Sequence, residues 1–411
     1  MKKLLQINPV VRISTSTGRI MQEIGELAIE RGWESYIAYS KGRDGIKPCK
    51  SKLVPVGNKW SVRWHGIMTR LFDRHGLAST RATKAFIRQI ERIQPDIIHI
   101  HNIHGYFLNY KVLFDFLARY GKPVIWTIHD CWLYTGHCYH YAYVGCQRWQ
   151  EGCHHCPQKT AFPTSYFMDR SSANFKAKKS IFNSIPNKLF HLVTVSDWMR
   201  GEMSRSFLKD YPYQVIHNGI DTALFAPCDP VEIRTRYHIP ADKKIYLGVA
   251  SIWSDEKGLA EFKRIATQLT EDEVIVMVGV SEVIKKQLPD NIIAIARTEN
   301  IKQLAALYSA ATAFINPTWQ DNYPTVNLEA ISCGTPVVTY RTGGSIESIT
   351  PDTGSIVEQG DVEGLLRAAR DIKQRGKSYF TERCRDYALA HFRKEDRYQD
   401  YLELYEKLLN E

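Results

Sequence analysis

Short apolar runs alternate with amphipathic stretches twice along this chain, and no other feature limits its fold so tightly. In the first half, runs at 3–7, 34–39, 96–101, 124–128 and 190–195 have the aliphatic density of buried strands. A polar loop, Ser14-Thr15-Ser16-Thr17-Gly18, opens a helix whose apolar face is Ile20, Ile24, Leu27 and Ala28, and Gly32 closes it. Ser196 stands where a helix N-cap is expected. Segment 215–221 reads as a strand ending in a turn, and Phe225, Pro227 and Pro230 as a connecting loop. A second series follows at 245–250, 274–278, 291–295, 312–315 and 337–339. Strands that read as continuous apolar runs with helices between them imply parallel sheets, so the expectation is an α/β chain of two comparable lobes.

A length of 411 residues is enough for two domains with real cores. No apolar run approaches the length that spans a bilayer, and MKKLLQINPVV reads as a first strand rather than a signal peptide. The net charge of +10 favours anionic partners such as phosphates, nucleotides or anionic lipids. The basic residues are scattered rather than massed in one run, and nucleic acid is not expected. One set, Arg63, Arg70, Arg74, Arg81, Lys84, Arg88 and Arg92, follows Trp60 and Trp64. It reads either as a membrane-facing surface or as ordinary solvated helix faces.

The chemistry concentrates in NPTWQDNYPTVNLEAISCGTP, residues 316–336, where Asp321 and Glu329 have seven residues between them. Asn322 and Pro324 favour a turn, and 325–332 has helical spacing, so the first carboxylate precedes a helix and the second lies inside it. Backbone N–H groups at such a helix start face an anion, and Glu329 reaches a hydroxyl-bearing ligand. The segment resembles the carboxylate–seven–carboxylate motif of retaining glycosyltransferases of family 4. The resemblance implies the GT-B fold, two Rossmann-like lobes facing across a cleft. It also implies that Glu329 holds the nucleotide ribose and that Asp321, where the family usually has Glu, lies by the donor sugar and phosphate. Asn322, Tyr323, Pro324 and Thr325 join the donor site.

Gly248-Val249-Ala250-Ser251 leading to Lys257-Gly258 resembles the family's Gly-Arg…Lys-Gly phosphate clamp. Lys257 matches; Ser251 stands near the place of the Arg, with Arg341 and Arg297 as substitute cations. Arg341-Thr342-Gly343-Gly344-Ser345 has the strand, Gly-Gly, helix order of a phosphate loop or of a plain turn. Gly18 and Arg19 match the first-lobe loop that faces the donor phosphate. His129 ends a strand, as does the family's first-lobe histidine near the donor sugar, and with Asp321 and Lys257 forms the expected catalytic set. Asp130 orients that imidazole or contacts acceptor. His99 and His101 share one strand face, and His101, Asn102 and His104 are acceptor candidates with Asp130.

Five of nine cysteines fall between 131 and 156. Cys138, Cys146, Cys153 and Cys156 could supply four thiolates to a structural Zn²⁺; His137, His140, His154 and His155 are alternative ligands, and Cys131 could replace Cys138. Disulfides and unpaired thiols are the other readings. The insertion 131–160 shows little core pattern, and a metal would explain its order beside His129.

The expected division is 1–218 for an acceptor-side lobe, 219–394 for a donor-nucleotide lobe, and 395–411 for a helix packing back on the first. The expected activity is retaining transfer from a nucleoside-diphosphate sugar to a saccharide or lipid-linked acceptor in bacterial polysaccharide assembly. No cofactor is required, and the location is cytoplasmic or peripheral at the inner membrane face. A sugar-nucleotide epimerase, a catalytically degenerate nucleotide-sugar-binding protein and a nucleic-acid-binding module are the alternatives.

Overall fold

The computed structural model describes residues 1–12, 15–40 and 49–411, so Ser14 lies outside the described residues. The chain divides into two compact units, Met1–His217 with Tyr398–Glu411, and Asn218–Arg397.

The first unit holds a parallel sheet of seven strands among the described residues: β1 (Lys3–Ile7), β2 (Glu34–Ser40), β3 (Lys52–Val56), β4 (Ile97–Ile100), β5 (Val124–Ile128), β6 (Phe190–Thr194) and β7 (Tyr213–Val215). Their order is β3-β2-β1-β4-β5-β6-β7. Helices cover both faces, which is what continuous apolar strands such as β4 and β5 require. One core packs Phe114, Trp126, Phe182 and Phe190 together. On the opposite face Tyr398, Tyr401, Tyr405 and Leu408 of the last helix join Leu4, Ile24 and Ile97. Each such side chain contributes about 1.5–3 kcal/mol by leaving water.

The second unit repeats the plan with β8 (Lys244–Val249), β9 (Glu273–Val278), β10 (Ile292–Ile295), β11 (Ala313–Asn316), β12 (Val337–Tyr340) and β13 (Gly354–Val357), in the order β10-β9-β8-β11-β12-β13. In both sheets the first strand lies beside the fourth, and the order in which strands are added reverses there. The carboxyl ends of those strands are where an open parallel sheet presents a ligand crevice.

Segment 215–221 differs from expectation. The strand ends at Val215, and Ile220 instead forms an isolated bridge with Arg393. The insertion 131–160 differs too: Trp132, Tyr134, Tyr141 and Trp149 are buried in the first unit's main core. Its order therefore rests on aromatic packing as well as on anything its cysteines bind.

Candidate functional site

In the second unit, two loops leave the carboxyl ends of the adjacent strands β8 and β11, and polar contacts tie them together. Trp319 N donates to Glu256 O at 2.9 Å, and Gln320 Nε2 donates to Glu256 Oε2 at 3.0 Å. Lys257 Nζ donates to Asp321 Oδ2 at 2.8 Å. Lys257 closes a short 3₁₀ turn, Asp255–Lys257, and Gly258 follows with φ +80. A Cβ at Gly258 would sit 2.3 Å from Pro317, so this close approach of the two loops needs glycine in both conformation and volume. Both partners of the ion pair remain partly exposed.

The helix Thr325–Ser332 starts at Pro324, which supplies no side-chain cap, so its first N–H groups have no capping oxygen from the N-cap residue. Glu329 points inward: it is 5% exposed, and Tyr308 donates its hydroxyl to Oε2 at 3.2 Å. Asn322 and Tyr323 are buried beside this turn, and Thr325 is partly exposed. A hydrogen-bond network fixes the helix to the sheet. Asn316 Nδ2 donates to Asn327 Oδ1 at 2.8 Å, Asn327 Nδ2 donates to Ser345 O at 3.1 Å, and Thr339 Oγ1 donates to Asn316 O at 2.9 Å. Gly344 N donates to Asp321 O at 3.1 Å, and a Cβ on Gly343 (φ +49) would lie 2.0 Å from that oxygen. The Gly-Gly turn thus supports Asp321 directly. Ser251 is exposed, and Arg341 pairs with Glu358 at 2.7 Å, so neither contacts Lys257 or Asp321. Arg297 is exposed beyond β10, at the sheet edge.

In the first unit, His101 follows β4 and His129 follows β5. Gln6, on β1, donates Nε2 to Met21 O at 2.9 Å, which leaves its Oε1 as an acceptor facing His101 Nε2 at 3.0 Å. His101 must therefore carry its proton on Nε2 and accept on Nδ1. That nitrogen lies 3.1 Å from His129 Nε2, which must donate. The neutral His129 ring then carries its proton on Nε2. Burial lowers its pKa to about 4; the Asp130 charge opposes this and His104 adds to it. His101, fully buried, is likewise held neutral by burial. With both ring nitrogens engaged inside the protein, His101 supports His129 rather than meeting an acceptor. His99 is also internal, between Tyr405 OH at 2.6 Å and Thr127 Oγ1 at 2.7 Å.

Asp130 turns to His104 Nε2 at 2.7 Å and accepts from Trp132 N at 2.9 Å. It orients His104, and the partner that fixes His129 is His101. Burial raises the Asp130 pKa, but the His104 charge and hydrogen bond outweigh it and hold the group at about 2. His104 and Asn102 are partly exposed. Gly18 lies in the first turn of the helix Ser16–Glu30, where Thr15 Oγ1 accepts from its N–H at 3.3 Å, and Arg19 follows, partly exposed.

Cys138, Cys146, Cys153 and Cys156 line one cavity with His137 and His154, and all nine cysteines are unbridged. Sequence reasoning passed over Gln6, Tyr308 and Lys178. Gln6 had a visible signal, a polar residue inside the otherwise apolar run KLLQI.

A family model described as Glycosyltransferase Family 4 matches residues 17–224, half of the chain, and one described as Glycosyl transferases group 1 matches residues 243–374. A relative from Escherichia coli (strain K12), named as a colanic acid biosynthesis glycosyl transferase, WcaC, is 23% identical over 384 residues, covering 89% of this chain and 90% of the relative. Among solved structures, sucrose-phosphate synthase from Thermosynechococcus elongatus superposes with a TM-score of 0.77 at 17% identity, covering 100% of both chains. Anabaena HepE in complex with UDP-glucose superposes with a TM-score of 0.68 at 14% identity, covering 99% of this chain and 100% of that one. These likenesses identify the fold as GT-B, two Rossmann-like lobes.

Proposed function

The chain belongs to glycosyltransferase family 4, and from that premise we propose that it transfers a sugar from a nucleoside-diphosphate sugar to a saccharide or lipid-linked saccharide acceptor, with retention of anomeric configuration. The observation that carries this reading is the Lys257–Asp321 pair, held between the β8 and β11 loops with Glu329 buried on the following helix.

In this reading the Lys257 ammonium neutralises charge building on the departing diphosphate, and the N-terminus of the helix Thr325–Ser332 assists. Glu329 accepts hydrogen bonds from the ribose hydroxyls. Asp321 aims the lysine and offers an oxygen to the donor sugar; its side chain is one methylene shorter than the family's usual Glu. Neutral His129 stands by the donor sugar, as the family's first-lobe histidine does. The anomeric carbon–phosphate oxygen bond breaks as the bond to the acceptor oxygen forms on the same face. The acceptor's proton passes to the leaving phosphate oxygen. No protein nucleophile is required, and no metal takes part in any step. HepE, crystallised with UDP-glucose, supports a nucleotide-sugar donor, and WcaC supports a polysaccharide product.

A lipid-linked acceptor accords with the helix Lys59–Phe72. Trp60 is 75% exposed, Trp64 56% and Ile67 46%, a stripe at helical spacing facing solvent. Tyr166 N donates to Arg70 O at 2.8 Å, which brings exposed Tyr166, Phe167 and Met168 to the same helix. The seven basic residues from Arg63 to Arg92 are all exposed. No helix among the described residues is long and apolar enough to cross a membrane. Peripheral binding at the inner membrane face is the corresponding proposal. Sedimentation with anionic vesicles that is lost in Trp60→Ser/Trp64→Ser, with Tm unchanged, supports it; equal sedimentation of both proteins refutes it.

The activity is tested by incubating the full chain with a panel of nucleoside-diphosphate sugars and oligosaccharide acceptors. Acceptor-dependent release of nucleoside diphosphate, with an NMR-determined linkage of the donor's own configuration, supports the reading. An isomerised nucleotide sugar formed without acceptor would establish the epimerase alternative instead.

A further inference from the structure

Residues 135–157 surround a small cavity that the glycosyl-transfer reading leaves unused. It is lined by Cys138, Cys146, Cys153, Cys156 and His137. The decisive side chain is His137. It is 3% exposed, and its Nε2 has no hydrogen-bond partner. Its Nδ1 lies 2.7 Å from Asp73 Oδ1, and both side chains are fully buried. A carboxylate at that distance accepts a hydrogen bond from Nδ1–H and leaves the Nε2 lone pair bare, the tautomer a metal ligand needs. Asp73 is itself fixed: its Oδ2 accepts from Arg170 N at 2.7 Å, and its backbone carbonyl accepts from Asn174 Nδ2 at 2.9 Å. A buried imidazole nitrogen left unpaired is destabilising unless something occupies it.

The sulfurs have the matching arrangement. Cys153 and Cys156 form a CxxC pair, and Gly136 N donates to Cys153 Sγ at 3.1 Å, a bond that stabilises thiolate. Cys138, Cys146 and Cys156 line the same cavity. The electrostatics point the same way. Lys178 is 1% exposed and makes its hydrogen bonds to two carbonyls, Trp132 O at 2.6 Å and Thr135 O at 3.0 Å. Three thiolates around a dication leave one negative charge, which this buried ammonium balances.

We propose that this cavity binds one structural zinc ion through His137 Nε2 and the sulfurs of Cys146, Cys153 and Cys156. Cys138 lines the same cavity and stays a thiol, since four ligands already complete a tetrahedral site. Among the described residues no three of these donor atoms lie within 4.8 Å of one another, so binding draws the loop inward. The metal would brace the segment that follows His129 and Asp130 without entering the reaction.

The test begins with the unmodified full chain, expressed with zinc and analysed by elemental mass spectrometry. About one zinc per chain is expected. After chelation, reloading with Co²⁺ should give tetrahedral d–d absorption and sulfur-to-cobalt charge transfer. Cys153→Ser and His137→Ala should each lower zinc content to about a tenth or less, Asp73→Asn should weaken affinity about 10–100-fold, and Cys138→Ser should keep the ion. Near-UV circular dichroism checks that each variant is folded. Unmodified protein without stoichiometric zinc and without cobalt charge transfer overturns the proposal, whether its thiols are free or bridged. Zinc kept by His137→Ala but lost by Cys138→Ser overturns the ligand assignment.

Discussion

The two units share one strand order and differ in what stands at the carboxyl ends of their central strands. The first presents imidazoles that burial keeps neutral: His101, His129 and, deeper, His99. The second presents ions, the Lys257–Asp321 pair, with buried Glu329 behind them. The difference teaches that one strand order can carry opposite electrostatics: burial keeps the imidazoles neutral, whereas a partly exposed loop pair keeps its charges. In the proposed reaction the neutral groups would orient a sugar and the cation would meet the departing diphosphate. Another ionic cluster of the second unit, Glu273 with Arg370 and Lys373, lies at the opposite, amino-terminal end of β9 and serves stability.

The largest effect should come from the charged side. Lys257→Ala is expected to lower kcat by about 100-fold or more, as loss of a transition-state charge donor does. Lys257→Arg should recover part of it in steady-state assays. An effect of less than threefold would show that the division by charge is wrong.

A smaller loss is expected on the neutral side. Gln6→Leu removes the acceptor that fixes the tautomers of His101 and His129, and should cost about 10-fold in kcat/KM, on the order of one hydrogen bond. Imidazole ¹⁵N shifts read the tautomers directly. Nδ1-protonated His129 in the unmodified chain would contradict the relay.

The smallest effect is a difference in acid sensitivity. His129 is neutral when folded down to about pH 4, whereas the unfolded chain takes up that proton near the ordinary value of 6.5. The unfolded state therefore binds more protons in this window, and the first unit loses stability as pH falls from 6.5 towards 4. Buried His65, His75, His99 and His101 act in the same sense. In the second unit burial raises the Glu273 pKa, but Arg370, Lys373, Tyr246 and the Thr270 N–H outweigh it and hold the group well below the carboxylate range. Its contribution is present above the unfolded value of 4.5 and is lost only below it. Hydrogen exchange at pH 5.5 against pH 7.5 should show first-unit amides near His101 and His129 losing protection before those of β9. Simultaneous loss in both units would remove the distinction.

The central strands of both sheets were legible because burial on both faces makes them continuous apolar runs. Edge strands were harder. Lys52–Val56 carries Pro55 and alternates in burial, and Gly354–Val357 opens on glycine, so neither reads as a run. Segment 215–221 misled because Ile216 and Ile220 are both buried, yet the strand stops at Val215 and Ile220 makes an isolated bridge to Arg393. Lys257, Asp321 and Glu329 could be named from local motifs that resemble the family's, since two short loops and one helix carry them. The Gln6–His101–His129 relay could not, because its atoms meet across 95 and 28 residues of chain. The pairing of His137 with Asp73 spans 64 residues and was equally hidden.

The most direct measurement is the binding of nucleoside diphosphates to the full chain by calorimetry, repeated with Glu329→Ala. The ribose-gripping role predicts saturable binding by at least one nucleoside diphosphate, weakened about 10–100-fold in the variant while its Tm stays within a few degrees. Equal affinity in both proteins, or no binding by any nucleoside diphosphate, would contradict it.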